Sequence, residues 1–472
     1  MPHRPRLPLA ILAAVVVFAI SATVSTETLF GQDAVPAVDS PATDTPAAAP
    51  AAEETPNAVQ PTAEPAAEPA AEPAAEPAAD DPDADDVMND LDSLDPPSDP
   101  PPSELAPELP EQPISPEQEA LFAEFEAKRK IWEQTLKEMK TIQIMHSNGV
   151  DKSAKSMDRF YELRDRARGE LNDLFKAAEA FFMERQDEYN TVSLLATVID
   201  YRRSSSYYDD SFNVAKRLIE VGVNMPFLEQ IAGRSAFVEG KFDEVLPIYQ
   251  RYVDSNGPEK LEDVDKMIVG LLNFYPPWWE EELKARAADE AAGDLPRVRL
   301  ETTSGPVVLE LFEDQAPNTV ANFIQLVESG FYDESEFYQV VDDLLALGGD
   351  PTGDGSGTSG RFLPDEHDRP DRRRIFRGSI FMAKRQTAPD SGKMVPNSAS
   401  SQFAIALMPI VPKELEQTVF GRVVEGMDVV CSFRRVDPTK KKEQQVILPP
   451  DRIISAKVLR KRDHEYSVEY AR

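Results

Sequence analysis

The sequence predicts a multidomain protein: a disordered acidic tract, an all-α domain of helical hairpins, and an antiparallel β domain at the carboxyl end. Three observations predict this. Twenty of the 41 prolines fall between Gln32 and Pro116, with 21 acidic residues and no Lys or Arg among them. From Ser115 to about Ala292, large apolar residues recur at steps of three and four, the helical period. From Arg297 onward they alternate with polar residues between glycine-containing turns, the strand period. The expected segments are 1–31, 32–114, 115–292, 297–462 and a tail, 463–472.

Charge and composition exclude several classes. The 472 residues carry 84 Asp+Glu and 50 Lys+Arg, a net charge of −34, so general electrostatic binding to nucleic acid is not expected. A single cysteine, Cys431, excludes a disulfide framework and a Cys-rich zinc site. His3, His146, His367 and His464 show no ligand spacing, and no metal or cofactor is implied. The glycine-rich stretch Gly348–Gly360 is not followed by Gly-Lys-Ser/Thr, so it is not a phosphate loop.

The amino terminus reads as an export signal. His3, Arg4 and Arg6 precede the apolar run Leu7–Ala22, and Ala22 and Gly31 are candidate cleavage positions. A run of 16 residues suits a signal peptide better than a span, which needs about 20. The alternative is an uncleaved anchor, the only expected membrane contact. Both readings place the body outside the cytoplasm, in a periplasm or its equivalent. The following tract repeats Ala-Glu-Pro-Ala four times from Ala63 to Ala78. Proline at every fourth residue stops helix propagation, and few large apolar residues are present to form a core. It reads as an extended charged spacer, with a proline-rich ligand as the alternative.

Order begins at Ser115-Pro116-Glu117-Gln118, an N-cap, a first-turn proline and a capping-box glutamine. Leu121, Phe122, Phe125, Ile131, Trp132, Leu136, Met139 and Ile142 then form one stripe, ended by Ser147-Asn148-Gly149. A second long helix carries Met157, Phe160, Tyr161, Leu171, Leu174, Phe175, Phe181 and Phe182, giving an antiparallel hairpin. A weak repeat of 34 residues follows, relating Tyr208 to Phe242 and Ala215 to Tyr249. Ala232–Tyr252 resembles one tetratricopeptide repeat, with Gly233, Gly240 and Tyr249 in place. The preceding unit is degenerate, with Ile199 where the small glycine belongs. Such helices imply a protein-binding groove or plain helix packing. Pro276-Pro277-Trp278-Trp279 starts a last helix, and Ala287–Asp294 reads as a linker.

In the carboxyl domain, Val298–Thr302 and Pro306–Leu311 read as a hairpin around Ser304-Gly305. A helix opens at Gln315-Ala316-Pro317 and stops at Gly330, and a strand spans Phe337–Val341. Here the residues carry a family resemblance. Ala316-Pro317-Asn318-Thr319-Val320-Ala321-Asn322-Phe323, Gly330-Phe331-Tyr332-Asp333, Gly348-Gly349-Asp350-Pro351-Thr352-Gly353, Met382-Ala383, Ser401-Gln402-Phe403 and Val419–Val430 together resemble a cyclophilin over about Arg297–Lys461. The resemblance implies a closed eight-stranded antiparallel β-barrel capped by two helices, Ala316–Ser329 and Glu425–Arg435. It also implies peptidyl-prolyl isomerase activity on proline-containing peptides or unfolded protein clients.

X-Pro rotation needs no nucleophile or metal, only an apolar pocket and a hydrogen-bond donor that favours the twisted amide. In the family an arginine supplies that donor. Here Phe337-Tyr338-Gln339-Val340 places Gln339 at its position, as the candidate catalytic residue. The candidate substrate-binding positions are Phe337, Met382, Ala383, Gln402, Phe403, Leu344, Leu345, Leu347 and Ala404. Leu344, Leu345, Leu347, Ala404, Lys384 and Gln417 all depart from the family's usual residues. Arg372, Arg373, Arg374 and Arg377 are a source for a replacement arginine, or else a solvated loop. Two readings follow: an exported isomerase weakened by Gln339, or a non-catalytic peptide- or protein-binding module of the cell envelope. A passive spacer is a third.

Overall fold

The computed structural model describes residues 113–471, except 224, 226, 388–392, 411–415 and 437–448. The expected export segment and nearly all of the acidic tract lie outside the described residues.

Helix α1, Pro116–Ser147, opens with the expected capping box. The Gln118 amide donates to Ser115 Oγ at 3.2 Å, and Gln118 Oε1 accepts from the Ser115 amide at 3.1 Å. Helix α2, Ala154–Glu184, returns antiparallel. Gln118 reaches the Glu184 carbonyl at one end, and Arg159 pairs with Glu138 near the other. Phe125, Trp132 and Met139 are spaced by seven and are buried against Met157, Phe160, Leu174 and Phe175. Ile131 was expected in that stripe, but it is 51 % exposed. One residue turns the helix by about 100°, so Trp132 and Ile131 cannot both face α2.

Shorter helices follow: α3 Tyr189–Ser204, α4 Phe212–Glu220, α5 Leu228–Val238, α6 Phe242–Asn256, α7 Asp263–Leu271 and α8 Tyr275–Ala292. The α5–α6 pair explains its repeat signature. A Cβ on Gly233 would sit 2.6 Å from the Tyr249 ring, and Gly240 turns the chain at φ +75°. In the preceding pair the sizes are exchanged: Ile199 and Ala215 are both fully buried in one cluster. The expected linker Ala287–Asp294 is instead mostly helical. Helix α8 runs to Ala292 and stops at Gly293, whose left-handed φ of +65° is a common helix ending.

The β domain is one antiparallel sheet with two helices. Its strands are β1 Arg297–Thr302, β2 Gly305–Leu311, β3 Ser335–Glu336, β4 Gln339–Val341, β5 Leu345–Gly348, β6 Ser379–Met382, β7 Phe403–Ala406, β8 Val419–Glu425 and β9 Arg452–Arg460. They are ordered β3-β9-β1-β2-β8-β6-β7-β5-β4. The sheet curls around Val298, Leu309, Phe323, Val340, Ile380, Phe403 and Phe420. This corrects the expectation of a closed eight-stranded barrel: among the described residues the curled sheet has nine strands, and its outermost ones, β3 and β4, are not paired to each other. The expected strand Phe337–Val341 begins two residues later, at Gln339, while the Phe337 amide donates to the Asp451 carbonyl, at 2.7 Å, next to the β3–β9 pair.

Helix α9, Pro317–Glu328, is capped from a distance. The Asn318 and Thr319 amides donate to the Glu366 carboxylate at 3.1 and 2.9 Å. Helix α10, Met427–Cys431, is shorter than the expected Glu425–Arg435 and contains buried Cys431. The tail lies on α9. Gln325 Nε2 donates to the Tyr466 carbonyl at 2.6 Å, and the Asn318 side chain bonds both main-chain groups of Glu469.

The helices pack directly on the sheet. Phe376, from the loop before β6, stands 5.3 Å from both Tyr275 and Trp279 of α8. Arg373 pairs with Glu282 and Asp289 of α8 at 2.9 Å each. Arg377 Nε donates to Asp209 at 2.8 Å, and another nitrogen donates to the Ser206 carbonyl at 3.1 Å. Burial works against the Arg377 charge, but Asp209 and Cys431 outweigh it and hold the guanidinium above its ordinary range. Two of the four arginines considered for the groove are thus interdomain pins. A third, Arg374, stacks on Trp278 of α8 at 4.1 Å. Carboxylates of the helical domain hold Arg373 and Arg377, and a ring holds Arg374.

Candidate functional site

The site is built on the outer face of β4, β5, β7, β6 and β8. Directly paired residues in an antiparallel sheet point to the same side. Gln339 pairs with Leu347, Leu347 with Ala404, Ala404 with Phe381, and Phe381 with Val419. These five residues therefore form one row across five strands. A second row holds Val341, Leu345 and Ala406. Leu344, Tyr338 and Ile410 complete the same buried cluster.

The alternation separates the sequence candidates into two groups. Gln339, Leu344, Leu345, Leu347 and Ala404 share the outer cluster face. Phe337, Met382 and Phe403 point inward and join the core, where the Phe337 ring packs 4.4 Å from Phe433 and Phe403 stands edge-on to Phe323. Ala383 is half-buried, and its amide donates to the Gln402 carbonyl at 3.0 Å.

Gln402 is occupied. Its Nε2 donates to the carbonyls of Gly355 and Gly357, at 3.2 and 2.7 Å, and its Oε1 accepts from the Tyr338 hydroxyl at 2.7 Å. That carboxamide holds the glycine loop against the sheet. Burial, with Asp350 and Asp354 nearby, pushes the Tyr338 phenol above its ordinary range, so it stays protonated as the donor. The loop is tight: a Cβ on Gly357 would lie 2.0 Å from Asp350. Lys384 is buried between Asp365, at 2.7 Å, and the Glu416 carbonyl, at 2.9 Å.

Three features of the site were missed in the sequence. Phe381 lies opposite Ala404, so β6 sets a ring into the outer row beside the small residue of β7; the alternation of Ser379-Ile380-Phe381-Met382 carried that signal. Tyr338 holds Gln402. The turn between β4 and β5 is gripped by the helical domain. Tyr208 and Arg234 donate to the Asp343 carboxylate at 2.8 and 3.2 Å, and the Asp343 amide donates to Ser206 Oγ at 3.0 Å. No sequence signal linked those residues.

Chemically, the face offers an apolar floor and a primary amide, Gln339, that is 5 % exposed. Among the described residues no cluster of His, Cys, Asp or Glu could hold a metal ion. A neutral donor over an apolar floor suits a reaction in which an amide twists and no covalent bond is made or broken.

Residues 297–458 match the family described as cyclophilin type peptidyl-prolyl cis-trans isomerase/CLD. A peptidyl-prolyl cis-trans isomerase-like 1 protein of Neurospora crassa is 36% identical over 171 residues, covering 36% of this chain and 97% of that protein. Its Homo sapiens namesake is 36% identical over 138 residues, covering 29% of this chain and 77% of that protein. A solved cyclophilin type isomerase of Cryptosporidium parvum shares 26% identity and covers 35% of this chain and 97% of its own, with a TM-score of 0.30. By its similarity to those two isomerase-like relatives, each covered over more than two thirds of its length, the chain belongs, through its carboxyl-terminal domain, to the cyclophilin-type peptidyl-prolyl cis-trans isomerase family.

Proposed function

We propose that this protein is an exported prolyl isomerase of low turnover, acting on X-Pro bonds of folding chains outside the cytoplasm. The observation that carries the reading is the position of Gln339 at the head of the apolar row Leu347, Ala404, Phe381, Val419. A proline ring packs on such a floor, and the carboxamide donates to the proline nitrogen as it pyramidalises. Its hydrogen bond is neutral. A charge-assisted one from arginine is worth about 1–2 kcal/mol more, which corresponds to roughly 10- to 100-fold in rate. Export rests on the basic and apolar pattern of Met1–Val24.

One observation favours a second reading, a peptide-binding module without turnover. Leu344, Leu345, Leu347 and Ala404 are at most 6 % exposed, so a peptide would meet the margin of the face without its proline being gripped as turnover requires. Exchange NMR on the full chain with a short proline peptide separates the two. Accelerated cis–trans exchange supports the isomerase. Shift changes without acceleration support the module, and neither would refute both.

A further inference from the structure

We infer that the acidic proline tract of this chain, residues 32–114, is a ligand of its own β domain, held by Arg361 and Arg385 at the rim beside Ala383. The inference rests on the reading that the outer face accepts X-Pro segments, and it names the substrate chemistry: proline preceded by a carboxylate.

Arg361 and Arg385 differ from most arginines of the domain, although Arg372 and Arg374, in the loop before β6, also form no ion pair among the described residues. Arg297, Arg369, Arg373, Arg377, Arg422, Arg435 and Arg462 each pair with a carboxylate. Among the described residues, neither Arg361 nor Arg385 does, and both are exposed. Each guanidinium instead rests on a ring. Arg385 stands 4.7 Å from the Phe362 centroid, and Arg361 stands 4.8 Å from the Tyr470 centroid. Stacking orders a guanidinium without neutralising it, so both present a fixed positive charge to solvent.

Their backbones are tied to the strip that leads into the site. The Ser400 hydroxyl donates to the Arg361 carbonyl at 2.7 Å, and the Arg385 amide donates to Ser398 Oγ at 3.0 Å. Two residues further on, Gln402 accepts from Ala383. Arg385 is itself two residues beyond Ala383.

The tract supplies the complement. It has no Lys or Arg, and Glu64-Pro65, Glu68-Pro69, Glu72-Pro73 and Glu76-Pro77 place a carboxylate immediately before each proline of the repeat. A proline docked on the face brings its neighbouring carboxylate toward the rim. The β domain is also the less repulsive partner. Residues 297–472 hold 24 Lys+Arg and 27 Asp+Glu, whereas residues 117–296 hold 24 and 35. The repeat is joined to the folded part through the 36 residues between Ala78 and Ser115, and a tether that spans the two sites raises the effective concentration of even a weak ligand, to the order of millimolar for short flexible links.

The test compares the native full chain with a chain in which Glu64, Glu68, Glu72 and Glu76 are changed to Gln, outside the folded domains. The readouts are the amide resonances of Arg361, Ala383 and Arg385, and the binding of a neutral Ala-Ala-Pro-Phe peptide. The expected result is movement of those amides in the variant, the same movement in native chain at 0.5 M NaCl, and several-fold tighter peptide binding by the variant. The double variant Arg361→Gln, Arg385→Gln should reproduce the tighter binding. Identical amides and equal peptide binding in native chain and tract variant would overturn the inference and leave the proline-binding reading intact. A peptide that moves no amide of either chain would overturn both.

Discussion

The hydroxyl of Tyr208, in the loop between α3 and α4, donates a 2.8 Å hydrogen bond to Asp343, in the turn between β4 and β5. Asp343 has a left-handed φ of 54°, uncommon for a residue with a Cβ. Three groups from the helical domain, Tyr208, Arg234 and Ser206, bond it there. Tyr208→Phe is expected to lower stability by about 1–2 kcal/mol. It should also speed hydrogen exchange in β4 and β5 more than in β1 and β2. Urea unfolding and exchange on the full chain would check this, and uniform exchange rates would remove the helical domain's role in fixing the hairpin.

Gln339→Arg should raise isomerisation by roughly 10- to 100-fold if the row beside it receives proline. The measurement is exchange NMR with a proline peptide, alongside a denaturation midpoint to verify the fold. A folded variant with no gain would assign the domain to binding alone.

Acid stability should depend on Glu310. It bonds Arg297 at 2.8 Å and Arg422 at 2.8 Å from adjacent strands. Burial raises its carboxyl pKa, but the two arginines outweigh burial and hold it below the usual range. A depressed folded pKa means this contribution is fully present above the unfolded value and is lost as pH falls through the folded one. Glu310→Gln should therefore lower Tm at neutral pH and flatten its fall between pH 5 and pH 3, on the order of those pKa values. Parallel Tm–pH curves for the two proteins would contradict the assignment.

Cys431 is fully buried, and burial pushes its thiol above the ordinary range, with Arg377 opposing that rise. It should resist thiol reagents at pH 8 in the native chain and react once per chain in denaturant. Native reaction at the denatured rate would show that the interface around Arg377 opens.

Much of the fold was legible because it depends on local rules. The Ser115 capping box, the stripe at Phe125, Trp132 and Met139, and the β1–β2 hairpin follow from spacing and turn chemistry. Gln339 could be placed by its motif. What failed was long-range. Arg373 and Arg377 read as free cations because Glu282, Asp289 and Asp209 lie more than eighty residues away. The placing of the Phe381 ring opposite Ala404 depends on register, and register joins strands that are distant in the chain. The saturation of Gln402 depends on a glycine loop whose carbonyls leave no mark on the sequence.

The sheet's order has a consequence for aggregation. Its two outermost strands, β3 and β4, are three residues or fewer in length and are separated only by Phe337 and Tyr338. Beyond β4, Val340 bonds Val436 in both directions at 3.0 Å. An exposed sheet edge is a template on which another extended chain can add itself. Here both edges belong to one short stretch that is broken in the middle and partly covered. A protein whose proposed work brings it against unfolded chains thus has little edge to offer for unwanted strand addition.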